Sequence, residues 1–439
     1  MNRPHSGLTA LLIAFAVETL SVTWCLKLPG WAPWLSIPYF VGGVVIAIVL
    51  LGLPALQVPR LRLKAARPSQ KATSAPHPPR RLDPVMVYRL ATIGLMGMII
   101  YTWCRVWFED WTIDIMNADM LPVIKVMGER FLAGQHSHIY DRIPWIWNGV
   151  QPIYLPAMWQ PYVPFIAMGI DMRWVTAACL LFSFGVFVAI YRPQAHRYLS
   201  FFLAATAFLL FWWIVADNTA GFISVSEEGT VIAYYVLLVL ALVSGKPWLT
   251  GIAASLCMLS RYAFIGWVPA YLLYLVFERR WRYLLWFCLT GAGCFILFFL
   301  IPVGWGTFLR LASLPGDYVA FAARVWKDSP DVFSTAPGFA WFFGPRGTGL
   351  LHRILVTGSF GVPLLFMAFC YWKYRGLEAR PVNLPVAMLK LTLVVFYCCI
   401  DVPYLYLFYT SSMVSLVVVT LALRGEDSAA ASRVSATTP

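Results

Sequence analysis

A chain of 439 residues of which 60% are hydrophobic and only 12% charged has too little polar surface to clothe water-soluble cores, so lipid must solvate much of it. Its apolar residues form continuous blocks rather than alternating strands, which excludes a β-barrel. The net charge of +13 does not point to nucleic acid, because the cations lie between apolar runs and not on one polar face.

The fold expected is all-α, a polytopic membrane protein with about 12 transmembrane helices. Apolar runs near 8–28 and 36–55 give two N-terminal helices within residues 1–58, the first a retained anchor because no small-residue cleavage site follows it. A basic linker follows at 59–86, where Arg60, Arg62, Lys64, Arg67, Lys71, Arg80 and Arg81 face Asp83 alone, and such a segment marks the cytoplasmic side and an anionic leaflet. Further runs lie near 87–105, 174–190, 199–216, 230–245, 247–260, 261–277, 283–302, 349–371, 384–400 and 404–423. Placing the linker, Arg192 to Arg197, Lys246, Glu278 to Arg282, Lys373 to Arg380 and Arg424 inside makes both termini cytoplasmic.

That parity leaves no room for a full crossing at 152–170. Its prolines, Pro152, Pro156, Pro161 and Pro164, remove backbone donors and break helices, so a re-entrant or interfacial segment is expected. The alternative is a kinked span that would put Arg192 and Arg197 outside. Two long loops, 106–151 and 303–348, and a shorter one at 217–229 then face outward, while the Ser-, Ala- and Thr-rich tail 425–439 reads as disordered in the cytoplasm. The nine cysteines all lie in or beside apolar runs without metal-type spacing and read as small hydrophobes.

Chemistry on polar substrates belongs in the outer loops. The first holds Glu109, Asp110, Asp114, Asp119, Glu129 and Asp141, and within it Pro122 to Phe131, closed by Gly134, predicts an amphipathic helix lying along the membrane surface. Asp119 stands just before that helix, where the dipole favours its ionised, proton-accepting form; the competing account is a plain helix cap, and Asp114 competes with an ordinary solvated acid. Arg261 lies between two apolar runs, where an unpaired cation is costly, so it either binds an anion or snorkels to the interface. Arg324 and Arg346, with Lys327, are weaker cationic candidates in the second long loop. Glu227 and Glu228 at a helix start suit substrate hydroxyls, or Arg261, or the dipole alone. Trp145, Trp147, Tyr154 and Trp159 suit stacking on sugars or interfacial anchoring. His136 and His138 alternate without further ligands, so no metal site or other cofactor is expected, with divalent-ion dependence left open.

The order of a span, an outer loop with Asp119, an amphipathic helix, Gly134-Gln-His-Ser-His-Ile-Tyr140 and then Tyr154-Leu-Pro-Ala-Met-Trp-Gln-Pro161 resembles the GT-C superfamily of membrane glycosyltransferases. The likeness is greatest to its polyprenol-phosphate-mannose-dependent mannosyltransferase branch. It continues through Ser226 to Gly229, Gly245 to Ile252, Ser260 to Tyr262 and Trp267 to Arg282, making 87–282 the core and 283–424 a C-terminal transmembrane region. The chain departs from the branch in its two extra N-terminal helices, in Leu155 after the tyrosine and in Arg261 where relatives often have lysine.

The resemblance implies transfer of a sugar, mannose among the options, from a polyprenyl-phosphate-sugar donor to a glycan or glycolipid acceptor on the outer face of a bacterial inner membrane. It implies a single inverting displacement with Asp119 as base, Asp114 being the other catalytic candidate. Phosphate is a good leaving group, so one base suffices, whereas a glycosidase needs two facing carboxylates. The implied donor-phosphate ligands are Arg261, Arg324 and Arg346, and the implied substrate contacts are Glu227, Glu228, Tyr140, Tyr154 and Trp159. The rival reading is a multispanning transporter or lipid-linked-sugar flippase, against which the lack of inverted repeats and the concentration of charge in one outer loop argue.

Overall fold

The computed structural model describes residues 3–437 except 29, 57–82, 147–148, 193–196, 219–220, 314–317 and 375–381. The basic linker up to Leu82 and Trp147 therefore lie outside the described residues. Among the described residues the chain is helical without strands, apart from one bridge between Ile143 and Val150.

Long apolar runs become α1 (Arg3–Thr23), α2 (Ser36–Leu51) and α3 (Pro84–Asp110). At the start of α3 the Asp83 carboxylate accepts the Val85 amide at 3.0 Å, and Pro84 occupies the first turn, where its missing N–H costs nothing. The amphipathic α4 (Met120–Leu132) forms as expected. Residues 156–167 break into three short helical pieces, Pro156–Trp159, Gln160–Tyr162 and Val163–Ala167, and do not make one long helix. Each piece has a proline in its first turn, so the chain restarts rather than continues.

Then come α5 (Trp174–Ile190), α6 (Arg197–Trp212), α7 (Glu228–Ser244), α8 (Pro247–Met258), α9 (Trp267–Phe277) and α10 (Trp281–Phe295). Two short amphipathic helices follow, α11 (Trp305–Ser313) and α12 (Tyr318–Asp328). The chain ends with α13 (Thr348–Lys373), α14 (Leu384–Cys399) and α15 (Tyr409–Thr437). The last helix runs on to Thr437 across the stretch read as disordered, a span whose alanines suit a helix.

Among the described residues, seven segments are long and apolar enough to cross a membrane: Ser6–Thr23, Ala32–Leu51, Pro84–Asp110, Arg197–Asp217, Trp281–Val303, Thr348–Lys373 and Leu405–Gly425. The other five runs form shorter apolar helices, α5, α7, α8, Tyr262–Phe277 and α14. The 16 residues of α14 reach about 24 Å, less than a ~30 Å hydrocarbon layer.

Burial sorts these helices into an inner and an outer set. Nearly every residue of α14 and of the apolar part of α15 is buried, as is most of α7, which is how a helix apolar on all faces must sit. By contrast α3, α6, α10 and α13 turn Leu95, Met98, Phe201, Phe208, Leu285, Leu289, Leu365 and Trp372 outward. A soluble monomer does not show so much apolar surface, and lipid tails cover it without penalty.

The two N-terminal helices are part of this bundle. Lys390 of α14 is bonded to Glu18 of α1, and Ser411 and Ser415 of α15 donate to the same carboxylate at 2.9 and 2.7 Å. From α2, the Tyr39 hydroxyl donates to the Phe408 carbonyl at 3.0 Å.

Polar contacts tie the helix ends into two groups. At one end Arg89 donates to the Tyr191 carbonyl at 3.0 Å, Arg424 donates to the Ile190 carbonyl at 3.3 Å, and Asn383 donates to Leu50 and Pro54 carbonyls at 3.0 Å each. At the other end gather the close of α3, the start of α5, the start of α7, the close of α8 and the turn from α14 to α15.

Candidate functional site

The short loop before α7 is built by Asn218, whose left-handed backbone (φ 44) asparagine tolerates better than most residues. Its side chain accepts the Ile223 amide at 2.9 Å and donates to Ser224 Oγ at 3.0 Å. Arg173, buried at the start of α5 and paired with Asp171, donates to the Phe108 carbonyl at 3.1 Å and the Ser224 carbonyl at 3.4 Å. Thr176 adds a bond to the Ser226 carbonyl at 3.1 Å. Gly229 lets α7 lie against α5, since a Cβ there would stand 2.7 Å from the Thr176 carbonyl oxygen.

This scaffold delivers Glu227 and Glu228 to Arg261, which precedes the turn Tyr262–Phe264. Arg261 Nη2 donates to Glu227 Oε1 at 2.8 Å and also to Glu228 Oε2. Both glutamates are buried, and Thr410 of α15 and Tyr397 of α14 donate to the other oxygen of Glu228, the latter at 3.4 Å. Two buried carboxyls share one cation in low dielectric, and the two hydroxyl donors support the charge on Glu228. Several buried polar atoms around it have no partner among the described residues, namely Glu227 Oε2, Arg261 Nε, Tyr262 Oη and Asp401 Oδ1. Groups of this kind are satisfied in native proteins by water or ligand.

Asp119 stands at the start of α4 but does not cap it. Its backbone is helical (φ −87, ψ −18), not extended as a cap requires, and its carboxylate makes no capping bond. That overturns the competing account of Asp119. Burial pushes its carboxyl above the ordinary value, opposed by its own amide. Asp119 is within electrostatic reach of Glu227, Tyr154 and Tyr404, and Tyr154 of Arg261 as well. The adjacent Met120 receives a bond from the Tyr406 hydroxyl. Asp119, Tyr154, Glu227, Glu228 and Arg261 therefore share one end of the bundle.

The other sequence candidates stand elsewhere. Asp114 is exposed and its carboxylate accepts the Met116 amide at 3.2 Å, a turn bond. Arg324 on α12 and Arg346 before α13 are exposed. Tyr140 and Trp159 are buried and bonded to each other at 3.2 Å, with the Tyr140 hydroxyl donating to the Tyr154 carbonyl at 2.8 Å. They brace the loop that carries Tyr154. His138 pairs with Asp141 at 2.6 Å, a bond that holds the Asp141 carboxyl below its usual value.

Sequence reasoning missed Tyr397, Thr410, Tyr404, Tyr406 and the pair His352–Asp401, bonded at 2.6 Å. Asp401 alone carried a signal, as a lone acid between two apolar runs. Comparison of the chain with protein-family models, with curated proteins and with solved structures finds no match.

Proposed function

We propose that the protein is a membrane glycosyltransferase that moves a sugar from a polyprenyl-phosphate-sugar donor to a glycan or glycolipid acceptor, with inversion, on the outer face of a bacterial inner membrane. The observation that carries this reading is Asp119, a half-buried carboxylate freed from capping and within electrostatic reach of Glu227, which holds the cation Arg261. In this reading Asp119 takes the proton of the acceptor hydroxyl as that oxygen attacks the anomeric carbon, and the bond to the donor phosphate breaks with its electron pair leaving on the phosphate. Arg261 holds the departing phosphate. Its two glutamates keep it in place, and Tyr154 is within electrostatic reach of both base and cation. The resemblance of the sequence to the GT-C superfamily supports the donor class.

All twelve apolar helices cross in this reading, with the five shorter ones sheltered inside the bundle. The end bearing Arg89, Arg192, Lys246 and Arg424 is cytoplasmic and the polar cluster is outside, in keeping with the positive-inside rule. Both termini are then cytoplasmic, and 156–167 stays on the outer side.

Transfer of labelled sugar from a panel of polyprenyl-phosphate sugars to membrane-extract acceptors tests the reading. Purified protein is compared with its Asp119→Asn variant at matched thermal stability. Transfer by the wild type and a loss of about 10²-fold or more in the variant are expected; an equally active variant removes Asp119 from the mechanism.

A further inference from the structure

His352 stands one turn into α13, and its Nδ1 meets Asp401 Oδ2 at 2.6 Å across to the turn after α14. The Asp401 side chain is only 3% exposed and that of His352 is 20% exposed, so the imidazole faces outward from a buried carboxylate. With Nδ1 committed to Asp401, the free ring atom is Nε2, and a protonated ring presents an N–H there. Asp401 Oδ1 is buried without a partner among the described residues, like Arg261 Nε and Tyr262 Oη.

These groups lie at the same end of the bundle. Gly266 of the segment that follows Arg261 is pressed against the Ser359 carbonyl of α13, so the two helices touch there. Both begin at the same end of the bundle. His352 lies seven residues before that crossing, about 10 Å, and Arg261 five residues before it. The Tyr318 phenol is within electrostatic reach of Arg261, Tyr262, Asp401 and Tyr404 together.

We infer that His352, oriented by Asp401, is a second ligand of the donor phosphate together with Arg261, an inference that rests on the glycosyltransferase reading. Arg261 is already engaged by two buried glutamates, so a second hydrogen-bond donor adds to the hold on a leaving phosphate. Asp401 is the positioning residue; His352 makes the contact. No atom is transferred from His352, which gives a charge-assisted hydrogen bond as the phosphate gains negative charge.

Equilibrium binding of farnesyl phosphate and of farnesol to the whole protein in nanodiscs tests this. The wild type is compared with His352→Gln and Asp401→Asn, each checked for folding by thermal melting. The expected result is a preference of the wild type for the phosphate over the alcohol, reduced about tenfold by His352→Gln and to a smaller degree by Asp401→Asn, with farnesol binding unchanged. If His352→Gln does not fold, Asp401→Asn, which keeps the shape and an acceptor, carries the same comparison. A variant that retains the full preference, or loses both ligands equally, overturns the inference and leaves the glycosyltransferase reading standing. A wild type that does not distinguish phosphate from alcohol overturns both.

Discussion

Asp119 makes opposite demands on pH in catalysis and in folding. Burial raises its carboxyl above the ordinary value, so the base form appears only at higher pH, and the acidic limb of the transfer rate is expected above the usual carboxylate range. The folded state also binds the proton more tightly than the unfolded chain. Its contribution to stability is therefore present below the ordinary carboxylate value and declines as pH rises through the raised one. Thermal melting across that window should show Asp119→Asn losing part of the wild-type decline; an unchanged slope would remove Asp119 as its source. Arg261 makes a different demand. Replacing it by Gln leaves two buried carboxylates without their cation, which is expected to cost about 3–5 kcal/mol in a reversible unfolding titration.

At the level of helices, two contacts decide how the site is held. Gly229 sets the approach of α7 to α5, and Gly229→Ala must push the helices apart or bend them, at a cost of about 1–3 kcal/mol. Since Glu228 is the residue just before Gly229, activity should fall further than stability predicts, which comparison of kcat with melting temperature checks. The Lys390–Glu18 pair binds α1 to α14 and, through Ser411 and Ser415, to α15. Lys390→Met alone strands a buried carboxylate and is expected to cost about 3–5 kcal/mol, while the double variant Glu18→Gln, Lys390→Met recovers most of it. A double variant no better than the single would mean the pair does not act as a unit.

The whole molecule separates its charges between two ends. Arg89 and Arg424, with Arg192 in electrostatic reach of both, lie at one, and the carboxylates with Arg261 lie at the other. Positive-inside orientation then predicts that a cysteine placed at Asp114 or Met116, both exposed, reacts with a membrane-impermeant maleimide in intact spheroplasts. A cysteine at Arg192 or Lys373 should react only after permeabilisation. The reverse pattern would invert the topology and with it the outward placement of the site.

Continuous apolar runs between charged breaks were enough to predict helices and the position of all twelve apolar segments, because the cost of leaving backbone polar groups unpaired in lipid is local to each run. The amphipathic α4 and the proline-broken 152–170 were legible for the same reason: hydrophobic period and missing amides act within a few residues. Asp119, Glu227, Glu228 and Arg261 stood out as charges beside apolar runs. Their meeting did not, since Arg261 lies 33 residues from Glu228 and Thr410 lies 182 from it, distances that only packing closes. Whether Asp119 caps α4, and whether Tyr140 and Trp159 face solvent or core, depend on backbone angles and neighbours from distant helices. Which segments are apolar and which charges interrupt them is written in local composition; which of those charges face one another depends on packing, because desolvation makes each buried ion find its partner wherever the fold brings one.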